Sequence, residues 1–339
     1  MNSVDFTKII QHFEKVSVLV IGDLMLDRYL CGTMSRISPE APVPLIDITS
    51  ENFRLGGAAN AMNTIRSLGG KVVAAGIVGD DWFGKRLIGL LKQDNIDTSC
   101  VLEMKERPTT VKTRVMAGQY PVIRMDRESK IPIDEAYSKI ILDFIASHIE
   151  QVDAILISDY NKGVVTNRLL RGSIDLAKTN DKPIILYPKI DPLLDYSGIT
   201  TIITDREKAT SITGIRQINE TSIRNMGHWM LSHFRCESVL ITREADGLSL
   251  FEKNDTVTHI PPMISEVRNL TGVVDAVAST VTLSLASGVS CMAESAYLGG
   301  AAAGIVASKR NATSVTRKEL LDHTNLPNER RTDRTRTCH

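Results

Sequence analysis

The sequence carries no charge imbalance: 40 basic and 40 acidic side chains cancel over 339 residues. That absence argues against a surface built to wrap nucleic acid or to lie on an anionic membrane. Partners are therefore expected among small molecules and proteins. Cysteine is sparse as well, with Cys31, Cys100, Cys236, Cys291 and Cys338 widely spaced, odd in number and never in a CxxC pair. Such spacing argues against a disulfide framework or a zinc knuckle and fits a reducing compartment. No apolar run approaches the ~18 residues of a membrane span, and MNSVDFTKIIQHFEKV at the start has no apolar signal core. A soluble, cytoplasmic protein is the expectation.

What is present reads as globular: 42% hydrophobic and 24% charged residues suffice for a substantial core. After a first amphipathic helix comes VSVLVIGD (16–23), a β-branched run that ends in Gly-Asp, the form of a buried parallel strand delivering a polar group to a sheet edge. The pattern recurs at 152–160, 182–189, 200–205 and 237–244, with helix-length segments such as 134–150 and 219–234 between. Alternating strands and helices predict an α/β fold with a doubly wound parallel sheet, whose ligands bind beyond the strands' carboxyl ends. PVPLIDI (42–48) and TTVKTRVMAGQYPVIRMDRE (109–128) break this rhythm with polar–apolar alternation and predict a small antiparallel β flap. The expected organisation is one domain over 1–327, lid segments at about 35–50 and 109–128, and a disordered tail at 328–339.

Several stretches can carry chemistry. GGAANAMNTIRSLGG (56–70) opens a helix with paired glycines, which permits close ligand approach or simply tight packing. GDLMLDRY (22–29) sets Asp23 and Asp27 past a strand, as acceptors for sugar hydroxyls or as turn and cap residues. SRISPEAPVP (35–44) forms a rigid loop with one cation, Arg36. Lys112, Arg114 and Arg124 alternate along the flap and would share one face, either a phosphate clamp or a solvated surface. In TGVVDAVASTVTLSLASG (271–288), Asp275 falls in the first turn of a small-residue helix, placed as a general base among backbone amides or as an ordinary first-turn acid.

GDLMLDRY, SRISPEAPVP, GGAAN, VKTRV, SDYNKG and TGxxD, in this order over roughly residues 8–320, resemble the ribokinase-like (PfkB) carbohydrate kinases. Within them the chain is most similar to the kinase domain that phosphorylates D-glycero-D-manno-heptose 7-phosphate at its anomeric hydroxyl, on the path to ADP-heptose and lipopolysaccharide core. The resemblance implies ATP and Mg2+ as cofactors and pairing of two copies through their flaps. It implies that Asp27, Arg36, Gly56, Gly57, Asn60, Asp159 and Lys162 contact the sugar, with Lys112, Arg114 and Arg124 on its phosphate. Asp275 matches the base and Gly272 belongs to the anion hole, while Lys189, Arg206, Thr242 and Gly247 fall on the nucleotide side. No residue is assigned as a metal ligand. Bifunctional relatives carry a C-terminal nucleotidyltransferase, which a chain of this length is not expected to hold.

The departures from the family pattern gather at one end. The family loop Asp-x-Thr-Gly-Ala-Gly-Asp-Thr is altered at Asn269, Val273, Val274 and Ala276, and Thr-Pro-Asn with a later Glu becomes Arg206 and Ala209. Tyr187 replaces an Asp, and SKRNATSV (308–315) lacks the usual glycines. Val274 is expected to resist a positive-φ conformation and to crowd an approaching phosphate. Two readings follow, an ATP-dependent sugar kinase or a catalytically impaired pseudokinase that binds a sugar phosphate or regulates a partner. SRISPEAPVP and the cationic flap disfavour a nucleoside kinase.

Overall fold

The computed structural model describes residues 5–188, 194–217, 219–263, 268, 270–309 and 314–325. The residues expected to form a disordered tail, 328–339, lie outside the described ones.

The apolar runs become the centre of one sheet: β1 (Ser17–Gly22) lies between β4 (Lys71–Gly79) and β8 (Ala154–Ser158), both parallel to it. Outward from β4 runs β5 (Asp97–Met104), and outward from β8 run β9 (Ile184–Tyr187), β10 (Thr201–Asp205) and β11 (Ser238–Thr242) in parallel. The hairpin strands β12 (Leu248–Glu252) and β13 (Val257–Ile260) close that edge antiparallel. β1 and β8 are almost wholly buried because helices cover both faces, so apolar residues recur at every position rather than every second one. Alternate residues serve opposite cores. Val18 and Val20 pack with α2 (Ala58–Ser67), α8 (Val273–Ala286) and α9 (Met292–Ser308), whereas Leu19 and Ile21 pack with α4 (Glu135–His148), α5 (Asn167–Thr179) and α7 (Glu220–Phe234).

The remaining helices are α1 (Phe6–His12), α3 (Trp82–Gln93), α6 (Arg206–Thr213) and α10 (Arg317–Thr324). No helix among the described residues is long and apolar enough to cross a membrane.

The flap is larger than the sequence suggests and not purely antiparallel. β2 (Leu24–Ile37), β3 (Pro44–Gly57), β6 (Thr110–Ala117) and β7 (Tyr120–Arg127) make a separate sheet in the order β3-β2-β6-β7. Its outer pairs are antiparallel, but the central β2–β6 pair is parallel. β2 was hard to read because it starts inside the core and runs outward, from Met25 at 1% exposure to Met34 at 55%.

Strand order reverses between β1 and β8, so the chain segments leaving their carboxyl ends part company and open a crevice between them. Asp23, Tyr160, Tyr187, Asp205 and Thr242 all stand at or just beyond these carboxyl ends.

Candidate active site

A cavity of about 440 Å³ opens at that crevice, between the flap's inner face and the first turn of α8. Asp27, Gly56, Gly57, Asn60, Lys112, Arg114 and Arg124 line one end. Gly272, Val273, Val274 and Asp275 form the middle, and Thr242, Gly247, Leu248, Pro261 and Pro262 with Gly300, Ala303 and Gly304 of α9 form the other end. Of the residues singled out from sequence, Arg36, Asp159, Lys162 and Arg206 do not line it, and Lys189 lies outside the described residues.

Asp275 sits in the first turn of α8, a position where the helix dipole and unpaired amides favour negative charge. Gly272 caps the helix at φ 80°, a left-handed conformation that suits glycine. Val273 and Val274 are the first two helical residues and neither has a positive φ, so the turn asks no left-handed conformation of Val274. The left-handed position is Gly272 alone in this turn. The valine side chains do line the cavity wall. The N–H groups of Val274 and Asp275 find no backbone acceptor among the described residues, as expected of a helix start.

The Asp275 carboxylate is buried and accepts from two sides, from Asn60 Nδ2 at 2.6 Å and from the Tyr160 hydroxyl at 2.8 Å. Burial pushes its pKa up, and the bonds from Asn60 and Tyr160 and the charge of Lys208 oppose that rise. Burial also lifts Tyr160 well above the ordinary tyrosine range, with the neighbouring Asp275 charge adding to it, so Tyr160 remains a donor. Asn60 keeps one polar atom unused: its Oδ1 is buried with no partner.

The flap residues share a face because their registers align. Lys112 pairs across with Asp126 and Arg114 with Arg124, and Asp27 lies opposite Lys112 on the other side. Lys112 Nζ contacts Asp126 at 3.1 Å and Glu128 at 3.6 Å, Arg124 Nε contacts Asp126 at 3.0 Å, and Arg114 Nη1 donates to Asp27 at 2.6 Å. Partial burial alone would raise the Asp126 pKa; Lys112 and Arg124 outweigh it and hold the group low. Three cations thus meet three carboxylates, Asp27, Asp126 and Glu128, but of these carboxylates only Asp27 lines the cavity, so the wall it presents carries more cations than anions.

The nucleotide-side departures have definite structural outcomes. Tyr187 fills the end of β9, packs edge-on to Tyr160 at 5.5 Å and accepts a hydrogen bond from Lys208 Nζ. Lys208 also pairs with Asp205 at 3.0 Å. Arg206 pairs with the cavity-lining Glu244 at 3.1 Å and with Asp246 at 3.5 Å but does not itself line the cavity. Ala209, which the family pattern leads one to expect as an acid, is fully buried in the apolar core. Among the described residues no cluster of three metal-type ligands exists. Asp205, Glu207 and Glu244 also line the cavity; the first and last are ion-paired, whereas Glu207 has no ion pair among the described residues. Magnesium is commonly held by one or two carboxylates with substrate phosphates and water, and Glu207 is the carboxylate on this wall that could take such a part.

Asp23, read from sequence as a sugar-hydroxyl acceptor or a turn and cap residue, instead accepts backbone amides away from the cavity, and Tyr160, Glu128, Lys208 and Glu207 are not among the residues singled out from sequence. Only Tyr160 was exposed to discovery, as the aromatic within SDYNKG; the rest depend on which segments the fold brings together.

Residues 15–319 match the family model described as pfkB family carbohydrate kinase. The chain is 39% identical over 310 residues to Bifunctional protein HldE of Geobacter metallireducens, and 37% identical to that of Geobacter sulfurreducens, covering 91% of this chain in each case. It spans 63% of the length of each of these relatives. Among solved structures, Arabidopsis thaliana ribokinase complexed with ribose and ATP superposes with a TM-score of 0.72 at 15% identity, covering 92% of this chain and 99% of that one. Phosphofructokinase-2 from Escherichia coli in complex with potassium gives 0.72 at 16%, covering 91% and 97%. At those identities the agreement is one of fold.

Proposed function

The chain belongs to the pfkB family of carbohydrate kinases, and from that premise we propose that it transfers a phosphoryl group from ATP to the anomeric hydroxyl of D-glycero-D-manno-heptose 7-phosphate, a step toward ADP-heptose. The observation that carries this reading is the common cavity: a buried carboxylate at a helix N-terminus faces, across one space, a wall of flap cations. The cations suit an existing phosphate at one end of a sugar, and Asp275 suits proton removal from a hydroxyl at the other. Asn60 Oδ1, buried without a donor, supports a sugar hydroxyl beside the base. The amides of Val274 and Asp275 would stabilise charge on the transferred group, and Arg114 held by Asp27 would brace the sugar. Glu207 would share in holding magnesium with the nucleotide phosphates, and the ion would supply charge neutralisation for in-line transfer.

The reading extends to a homodimer. Met34, Ile37, Val43, Ile48, Tyr120, Ile123 and Met125 are all exposed on the flap, an apolar concentration that pairing of two flaps would cover. A cytoplasmic enzyme fits substrates of this kind.

Tyr187 and Ala209 favour the second reading, a sugar-phosphate-binding protein that has lost transfer, because an aromatic ring and a methyl group stand where the family pattern leads one to expect acids. One assay separates the two. ADP release is followed with ATP, Mg2+ and the heptose phosphate, beside Asp275→Asn; a rate no higher than that variant's removes the kinase reading, and calorimetric binding of the sugar phosphate alone then supports the second.

A further inference from the structure

Asp23 leaves the end of β1 but does not line the cavity. Its carboxylate, 1% exposed, accepts three backbone N–H groups: Tyr160 at 2.8 Å and Lys162 at 3.1 Å on Oδ2, and Val164 at 3.2 Å on Oδ1. These amides alternate along one loop whose intervening residues, Asn161 (φ 54°) and Gly163 (φ 86°), are left-handed. Alternating hand turns successive N–H groups inward and makes an anion-binding concavity. Here the anion is the protein's own. A Cβ at Gly163 would stand 2.2 Å from the Ile131 carbonyl oxygen, so the loop's shape depends on that glycine. Arg107 fastens the other side, donating to the Ile131 oxygen at 2.8 and 2.9 Å and to the Lys162 oxygen.

Two side chains leave this anchored loop toward different ends of the cavity. Tyr160 carries its hydroxyl to Asp275 Oδ1 at 2.8 Å. Lys162 carries its ammonium to Glu128 at 2.7 Å, and Glu128 in turn faces the flap cation Lys112 at 3.6 Å. We infer that Asp23 is a positioning residue: by filling the amide concavity at 160–164 it holds Tyr160 against Asp275 and Lys162 against Glu128, and so keeps the base and the flap cations in register. The inference rests on the reading of Asp275 as the base, and its effect runs through Tyr160.

The test follows the Asp275 carboxyl by carbon-13 NMR during a pH titration, the signal being assigned by its loss in Asp275→Asn. Asn60, Tyr160 and the charges of Lys208 and Asp27 act on this group, and of these only Tyr160 is bonded to the Asp23 carboxylate, the bond from α2 going to the Asp23 backbone oxygen, which the substitution keeps. Tyr160→Phe removes a bond to the charged form and raises the midpoint by about 1 pH unit. Asp23→Asn raises it in the same direction, and the double variant moves no further than Tyr160→Phe alone. A folded Asp23→Asn protein titrating like the parent, or additive shifts in the double variant, overturns the inference. Should Asp23→Asn not fold, Arg107→Met loosens the same loop from its carbonyl side, and an unmoved midpoint there overturns it equally. The titration needs no turnover: shifts as expected in a protein without kinase activity would leave Asp23 as a positioning residue and remove the kinase reading alone.

Discussion

Asn60 Nδ2 stands 2.6 Å from Asp275 Oδ2 although the residues are 215 positions apart. The amide at the start of α2 thereby orients the carboxylate at the start of α8, and both helix ends open on one cavity. The other face of the same amide, Oδ1, is buried without a donor and costs free energy until one arrives. One sugar hydroxyl donating to Asn60 Oδ1 would satisfy it, while a neighbouring hydroxyl presents its proton to Asp275.

Asn60→Ala should therefore damage both binding and turnover. Leaving Asp275 without its Oδ2 partner and the sugar without an acceptor corresponds to about 1–3 kcal/mol, or roughly 5- to 150-fold in kcat/KM. Steady-state ADP release with calorimetry of the sugar phosphate measures the two effects. If KM and kcat both stay within a factor of two, Asn60 is packing and not part of the site.

Asp275→Asn should lower turnover by about 10²–10⁴-fold, the ordinary contribution of a general base, with sugar phosphate affinity nearly kept. The same variant carries a stability signature. Burial raises the Asp275 pKa above its unfolded value, so the folded state binds its proton more tightly than the unfolded state does. That stabilisation is full below the ordinary aspartate value of 3.8 and is lost as pH rises through the folded pKa. Asn cannot ionise and avoids the loss. Thermal scans should show the melting temperature of Asp275→Asn gaining on the parent as pH rises across that window and holding a constant lead above it; a lead that shrinks with pH contradicts the assignment.

The parallel sheet was legible in the sequence because both its faces are covered, which makes strands such as Ala154–Ser158 continuous apolar runs bounded by polar residues. α8 and Asp275 were legible from Gly272 and the small-residue helix that follows. The long β2 was not, since a strand that passes from core to solvent changes its pattern midway, from buried Leu26 to exposed Met34. Nor could local pattern reveal Asp23 as an internal anion. Its three donors lie 137–141 residues away, and only strand order brings β1 beside β8. The backbone of Val274 was illegible for a related reason: the loop motif lists residue types, whereas the turn's handedness is carried by Gly272 alone.

The flap cations should read the phosphate and little else. Replacing Lys112 and Arg124 together by alanine removes charge-assisted hydrogen bonds worth about 1.5–3 kcal/mol each. Affinity for the heptose 7-phosphate should fall at least ~10-fold, with much weaker change for the unphosphorylated heptose. Calorimetry at two salt concentrations checks this, and the parent should also show the stronger salt dependence. Equal losses for both sugars would place these side chains in general folding of the flap instead.

Pairing through the flap should fail when its exposed apolar face gains charge. Ile123 and Met125 are 54% and 47% exposed on β7, on the face opposite Arg124 and Asp126. Ile123→Glu with Met125→Glu should convert a dimer into a monomer by light scattering while the circular dichroism spectrum is retained. A parent already monomeric at tens of micromolar, or an unchanged dimer in the variant, rules out this interface.

The two valines at the start of α8 offer the sharpest separation between strain and crowding. Since Val273 and Val274 already take helical angles, Val273→Ala with Val274→Gly brings no conformational relief. Glycine in a first helical turn instead costs about 0.5–1 kcal/mol, and both valines give up contacts with the core beneath them. The double variant should thus melt several degrees lower. Any gain in rate must then come from space: the removed methyl groups line the cavity beside the amides of Val274 and Asp275, where the transferred phosphoryl group would lie. Crowding as the limit predicts a faster chemical step by roughly 10-fold in single-turnover quench, about 1.4 kcal/mol of barrier, in a less stable protein. An unchanged rate in the destabilised variant would acquit the valines and move attention to Tyr187, whose ring and Lys208 contact occupy the neighbouring wall.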